Sequence, residues 1–186
     1  MVIKNNVKNE IIINKSRFIT YLYKVNNKEE FSNIYDNLKK EYKDATHICY
    51  AYIIDSEIKF SDDKEPSGSA GMPIYDVLKK NNLNYIACFV VRYFGGIKLG
   101  GSGLVRAYSN SASLCLKETE IIEYKEKVKI KIIIPYSKNS LIENIIDKED
   151  ILEKKFDDLV YYKVLINKDD LEILDKNKIN YIIEND

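Results

Sequence analysis

The sequence predicts an α+β chain of two modules, residues 1–120 and 121–186, and three observations carry that prediction. The first is the apolar run Tyr85-Ile-Ala-Cys-Phe-Val-Val, which has the length and β-branched content of a buried strand. Gly95-Gly96 and then Gly100-Gly101-Ser102-Gly103 interrupt it, and a small-residue helix follows from Leu104. The second is one helical stripe, Phe31, Ile34, Tyr35, Leu38 and Tyr42. The third is a restart of both periodicities near Ile121. The elements then run β-α-β-β-α-β-α, an α/β sandwich with a mixed sheet, followed by β-α-β-β-α-β, the order of the ferredoxin-like split βαβ unit.

Each element has a local reason. Glu10 to Val25 alternates loosely and reads as one long or bent strand, with Lys15-Ser16-Arg17 at the bend. Asn26 or Asn27 can cap the striped helix, whose first turn holds Glu29 and Glu30 and whose end holds Lys39 and Lys40. Ile48 to Ile54 is a strand, turned by Asp55-Ser56-Glu57 into a short partner, Ile58 to Phe60. Ser61 to Pro73 has loop composition, and Pro73 suits the first position of a helix through Lys80. In the helix after Gly103, Ala107, Ser109, Ser111, Ala112 and Ser113 are small enough to let it lie close to a sheet. In the second module, Lys127 to Lys131 alternates as a strand with one wet face and continues to Ile134. Pro135 ends it, and Ser137 or Asn139 caps a helix bearing Leu141, Ile142, Ile145 and Ile146. Ile151–Phe156 and Leu159–Ile166 pair around Asp157-Asp158, then a helix (168–177) and a strand (179–183) close the module.

Composition sets limits. Lys plus Arg number 29, as do Asp plus Glu, so no global basicity advertises nucleic acid. Residues 1–120 carry 17 basic and 14 acidic side chains, a net of +3, and residues 121–186 carry 12 and 15, a net of −3. Cys49, Cys88 and Cys115 are odd in number and sit in apolar context, as expected of reduced, buried cysteines rather than a disulfide framework or zinc site. No apolar run approaches the ~18 residues of a bilayer span, and no signal peptide precedes Lys4. The expectation is a cytoplasmic protein with no cofactor and no membrane partner.

Chemistry concentrates in two stretches. A strand, a glycine turn and a helix N-terminus together favour an anion, and Arg92, Lys98 and Arg106 surround that turn. The candidate anion or nucleic-acid site is therefore Arg92, Lys98, Gly100, Gly101, Ser102, Gly103 and Arg106. The spacing matches neither the phosphate-loop nor the dinucleotide fingerprint, and close strand–helix packing explains the glycines equally well. Arg92, on an apolar strand, needs a partner, and Asp62, Asp63 and Glu65 are the candidates. The acidic loop (Asp62, Asp63, Glu65, Ser67) is a possible functional loop that could hold a metal through water or transfer protons, although solvated acidic turns are common. His47 and Cys49 share one strand face, and a half-buried structural histidine fits better than a nucleophile pair. Tyr50, Tyr52, Tyr93 and Tyr108 could stack on bases or serve the core.

Residues 16–24 (SRFITYLYK), 44–54 (DATHICYAYII), 62–73 (DDKEPSGSAGMP) and 90–110 (VVRYFGGIKLGGSGLVRAYSN) resemble the family of the bacterial YigZ and eukaryotic IMPACT proteins. Ser69 stands where the family often has threonine, and Gly101 where alanine is common. The resemblance implies that the first module takes the left-handed βαβ fold of elongation factor G domain IV and a ribosomal small-subunit protein domain. It implies that the tail resembles elongation factor G domain V, as in the family's bacterial branch. Eukaryotic members regulate translation by competing for the activator of a kinase that acts on an initiation factor, a pathway bacteria lack. Two functions are therefore expected. One is a non-enzymatic module binding RNA or the ribosome; the alternative is an enzyme acting on a phosphorylated small molecule.

Overall fold

The computed structural model describes residues 1–184, and the chain divides into two compact units, 1–123 and 124–186. In the first unit the strands β1 (Val2–Ile3), β2 (Val7–Ile13) and β3 (Ser16–Lys24) precede helix α1 (Lys28–Glu41). Then come β4 (His47–Ile54), β5 (Glu57–Ser61), helix α2 (Gly71–Lys80), β6 (Ile86–Tyr93), helix α3 (Gly100–Leu116) and β7 (Ile121–Ile122). The main sheet has the order β2-β3-β6-β4-β5, and every neighbouring pair in it is antiparallel. The expected mixed sheet is thus wrong in direction. β3 and β4 run parallel to each other, but β6 lies between them and opposes both.

The long strand expected from residue 10 is also corrected, since it is the hairpin β2–β3. Asn14 and Lys15 both adopt left-handed φ, 46° and 63°, as a two-residue hairpin turn of the primed type requires. α1 is capped by Asn27, whose side chain accepts the Glu30 amide, while Glu30 reaches back to the Asn26 amide. Its apolar stripe covers one sheet face: Phe31 and Leu38 pack with Tyr21, Tyr50, Tyr52, Phe89 and Val91. The opposite face is covered by α2 and α3. Ala107, Ser111 and Ala112 are buried against it, and Ser111 and Thr20 exchange a buried hydroxyl contact. The first unit is therefore three layers deep, with the sheet in the middle.

β1 and β7 pair with each other (Val2↔Ile122, Ile3↔Ile121), so residues 121–122 belong to the first unit rather than to the tail. The second unit contains β8 (Lys127–Ile134), helix α4 (Asn139–Ile145), β9 (Ile151–Phe156), β10 (Val160–Asn167), helix α5 (Leu171–Lys176) and β11 (Tyr181–Ile183). Its antiparallel order β11-β8-β10-β9 is that of the split βαβ unit. Neither α4 nor α5 has a side-chain cap; each is entered through a 3₁₀ turn, at 136–138 and 168–170. No helix among the described residues is long and apolar enough to cross a membrane.

Candidate functional site

The strand register sets three side chains in a row on the α2/α3 face of the sheet. Phe18 of β3 stands opposite Arg92 of β6, and Arg92 stands opposite His47 of β4. Arg92 is buried, so its charge requires a partner inside the protein. That partner is Glu65, whose Oε1 accepts from Arg92 Nη1 at 2.5 Å and from the Tyr108 hydroxyl at 2.8 Å. Ser16 Oγ lies 3.4 Å from Arg92 Nη2, and the guanidinium sits 5.5 Å from the Phe18 ring centre and 5.6 Å from that of Phe94. The Arg92 Nε is buried with no hydrogen-bond partner.

The acidic loop delivers Glu65 to that position by turning its other two carboxylates on its own backbone. Asp62 accepts from the amides of Gly68, Ala70 and Gly71, and so caps α2 from outside the helix. This explains why α2 begins at Gly71, two residues before the start expected at Pro73. Asp63 accepts from the Ile48 amide, and Asp63 and Lys64 both take left-handed φ. Ser67 is exposed and lines none of the described cavities. The fold thus uses the Asp62 and Asp63 carboxylates on backbone amides and leaves the Ser67 side chain exposed. Among the described residues, no group of three His, Cys, Asp or Glu side chains is placed to hold a metal.

His47 Nδ1 lies 2.6 Å from the Asp63 carbonyl. A carbonyl only accepts, so Nδ1 carries a proton, and in the neutral ring Nε2 carries the lone pair. Nε2 is 3.8 Å from Glu65 Oε2, beyond hydrogen-bond length. Cys49, two residues on, does not pair with His47; its Sγ lies 3.0 Å from the Asp62 carbonyl and 3.4 Å from the Tyr108 hydroxyl. Burial pushes the Cys49 thiol and the Tyr108 phenol well above their ordinary values, which keeps both neutral.

The glycine turn has two kinds of glycine. Gly95 is there for close approach: a Cβ would lie 2.0 Å from the Lys15 carbonyl of the β2–β3 turn, and its amide donates to Ser16 Oγ. Gly100, at φ +72°, takes the left-handed conformation at which α3 begins. No side chain caps that helix, so its first amides and positive dipole end are open to a ligand. Lys98, Gly100 and Gly101 line a cavity of about 440 Å³ together with Thr46, His47, Glu65 and Arg92. Pro66, Phe94, Leu99 and Leu104 supply its apolar wall.

The remaining predicted residues are elsewhere. Arg106 is exposed on a different groove of about 680 Å³, with Gly103, Ile13, Asn14, Ser109 and Asn110. Six residues past Gly100 on a helix is about 240° around its axis, which carries Arg106 away from Lys98. Ser102 is exposed and lines neither space. Tyr50 and Tyr52 pack under α1, Tyr93 donates to Asp44, and Tyr108 is buried against Phe18. What sequence reasoning missed is His47 and Phe94 as cavity walls. For His47 the only signal is the β4–β6 register, which needs the strand order.

Residues 14–116 match the model of the Impact N-terminal domain. A family member from Bacillus subtilis, YvyE, is 45% identical over 126 residues, 66% of this chain and 58% of the relative. An IMPACT family member from Haemophilus influenzae is 39% identical over 153 residues, 80% of this chain and 74% of the relative. The crystal structure of a hypothetical protein superposes with a TM-score of 0.67 at 26% identity, covering 100% of this chain and 97% of the other. The chain spans little more than half the length of the Bacillus relative. From the matched domain, which holds every wall of the cavity, and from these relatives, the chain belongs to the IMPACT family.

Proposed function

We propose that the chain is a non-enzymatic, cytoplasmic RNA-binding module of the translation apparatus, and that it grips RNA phosphate at the head of α3. The observation that carries this is a contrast in occupancy. Lys98 is exposed and makes no hydrogen bond or ion pair among the described residues, beside an uncapped helix end. Asp62, Asp63 and Glu65 Oε1 of the neighbouring acidic loop are already engaged by the protein itself. The expected kinship of the family fold with elongation factor G domains IV and V supports a ribosomal setting by analogy only, because fold does not fix function.

A second reading has one specific observation in its favour. The cavity at the helix end is concave and includes His47 Nε2 and Glu65, as a site for a phosphorylated small molecule would. Ribosome co-sedimentation over a salt series separates the two. Binding to RNA falls steeply with salt through counterion release. Shallow salt dependence with strong competition by free sugar phosphate supports the small-molecule reading instead. No binding of any anion returns the glycines to packing alone.

A further inference from the structure

The cavity has a second pole opposite the helix end. In the neutral ring with Nδ1 protonated, His47 Nε2 is an acceptor like Glu65 Oε2, 3.8 Å away, and neither receives a hydrogen bond among the described residues. The Glu65 side chain is only 3% exposed, and Oε2 is the oxygen left open to the cavity. Two acceptors facing each other call for a donor between them. A third feature is Phe94, 46% exposed, whose ring is backed by the Arg92 guanidinium. An exposed ring so backed is a stacking platform. A fitting ligand therefore has an anionic group, a hydroxyl donor and a flat face.

We propose that the cavity takes one ribonucleotide unit and distinguishes ribose from deoxyribose through His47 and Glu65. The phosphate meets Lys98 and the amides of Gly100 and Gly101, and the base lies on Phe94. The ribose 2′-hydroxyl enters between the two and donates to His47 Nε2, with Glu65 Oε2 beside it; that hydroxyl is what separates RNA from DNA at a given site. The volume, about 440 Å³, is in the range of small-ligand sites. This rests on the RNA reading above and names the group by which the site would recognise its ligand.

The test titrates the full chain with a short oligoribonucleotide and the DNA of the same sequence, and with adenosine monophosphate and its 2′-deoxy analogue. The wild type is expected to prefer the ribo form about tenfold, the worth of one hydrogen bond to a charged or strong acceptor. In His47→Ala and Glu65→Gln the ratio of the two affinities falls toward one. Phe94→Ala weakens ribo and deoxy forms alike and keeps the ratio. His47→Ala carries the test if Glu65→Gln does not fold, with folding followed by thermal melting. Ribo preference in the oligomer pair alone assigns the site to an RNA chain, and in the monomer pair alone to a free nucleotide; both outcomes support the proposal. Measurable but equal affinity for ribo and deoxy forms, or an unchanged ratio in His47→Ala, overturns it while leaving the anion site in place. Binding of neither polymer nor monomer overturns the RNA reading as well.

Discussion

The acidic loop after β5 and the glycine turn after β6 both set charged residues on short irregular backbone, yet they handle those charges in opposite ways. In the loop, Asp62 and Asp63 satisfy four backbone amides, and Glu65 neutralises the buried Arg92. In the turn, Lys98 faces solvent with no partner among the described residues, and the helix behind it has no cap. The difference teaches that charge in a loop is evidence of function only after its internal partners are counted. A carboxylate oxygen met by the protein serves the scaffold; an unmet cation beside open amides is available to a ligand.

The comparison breaks most visibly at Glu65. Removing it leaves Arg92 buried and unpaired, and Glu65→Ala should lower unfolding free energy by about 3–5 kcal/mol in denaturant titration. A loss under ~1 kcal/mol would mean the pair is solvated and the loop is not a scaffold. Gly95→Ala comes next, because the new Cβ would collide with the backbone of the β2–β3 turn. A loss of about 3 kcal/mol is expected from such overpacking. It would mark Gly95 as the structural member of an otherwise available turn. Asp62→Ala should cost about 2 kcal/mol, since the three amides that it holds include the first of α2.

A smaller effect follows from pH. The Cys49 thiol and Tyr108 phenol are both raised by burial above their ordinary values of 9.0 and 10.0. The unfolded chain therefore ionises these groups first. Their contribution is complete below pH 9 and declines as pH rises through 9 and then 10. Melting temperatures recorded from pH 7 to 11 should fall across that window, and less so in Cys49→Ala measured against its own neutral value.

Much of this fold is written in local pattern. The α1 stripe, the Asn27 cap and the apolar run of β6 are each legible because their causes lie within a few residues. The hairpin at Asn14-Lys15 was hidden because lysine, not glycine, occupies the second left-handed position. The start of α2 was hidden because its cap is Asp62, outside the helix. Sheet direction could not be read, since no local feature reveals that β6 separates β3 from β4. The site divides the same way. A partner for Arg92 in the loop follows from the cost of a buried charge, and Glu65 is that partner. His47 beside Arg92 depends on the β4–β6 pairing alone. The departure of Arg106 from Lys98 is helical arithmetic that the sequence already contained.

On the function proposed above, Lys98 serves a ligand and not the scaffold. The most direct measurement of this is affinity for an rRNA fragment as a function of salt, for wild type and Lys98→Ala, beside a thermal melt of each. The expected result is a stability change within about 0.5 kcal/mol and a salt slope reduced by about one unit. An unchanged slope and affinity, or a loss of stability comparable to that of Asp62→Ala, would contradict it.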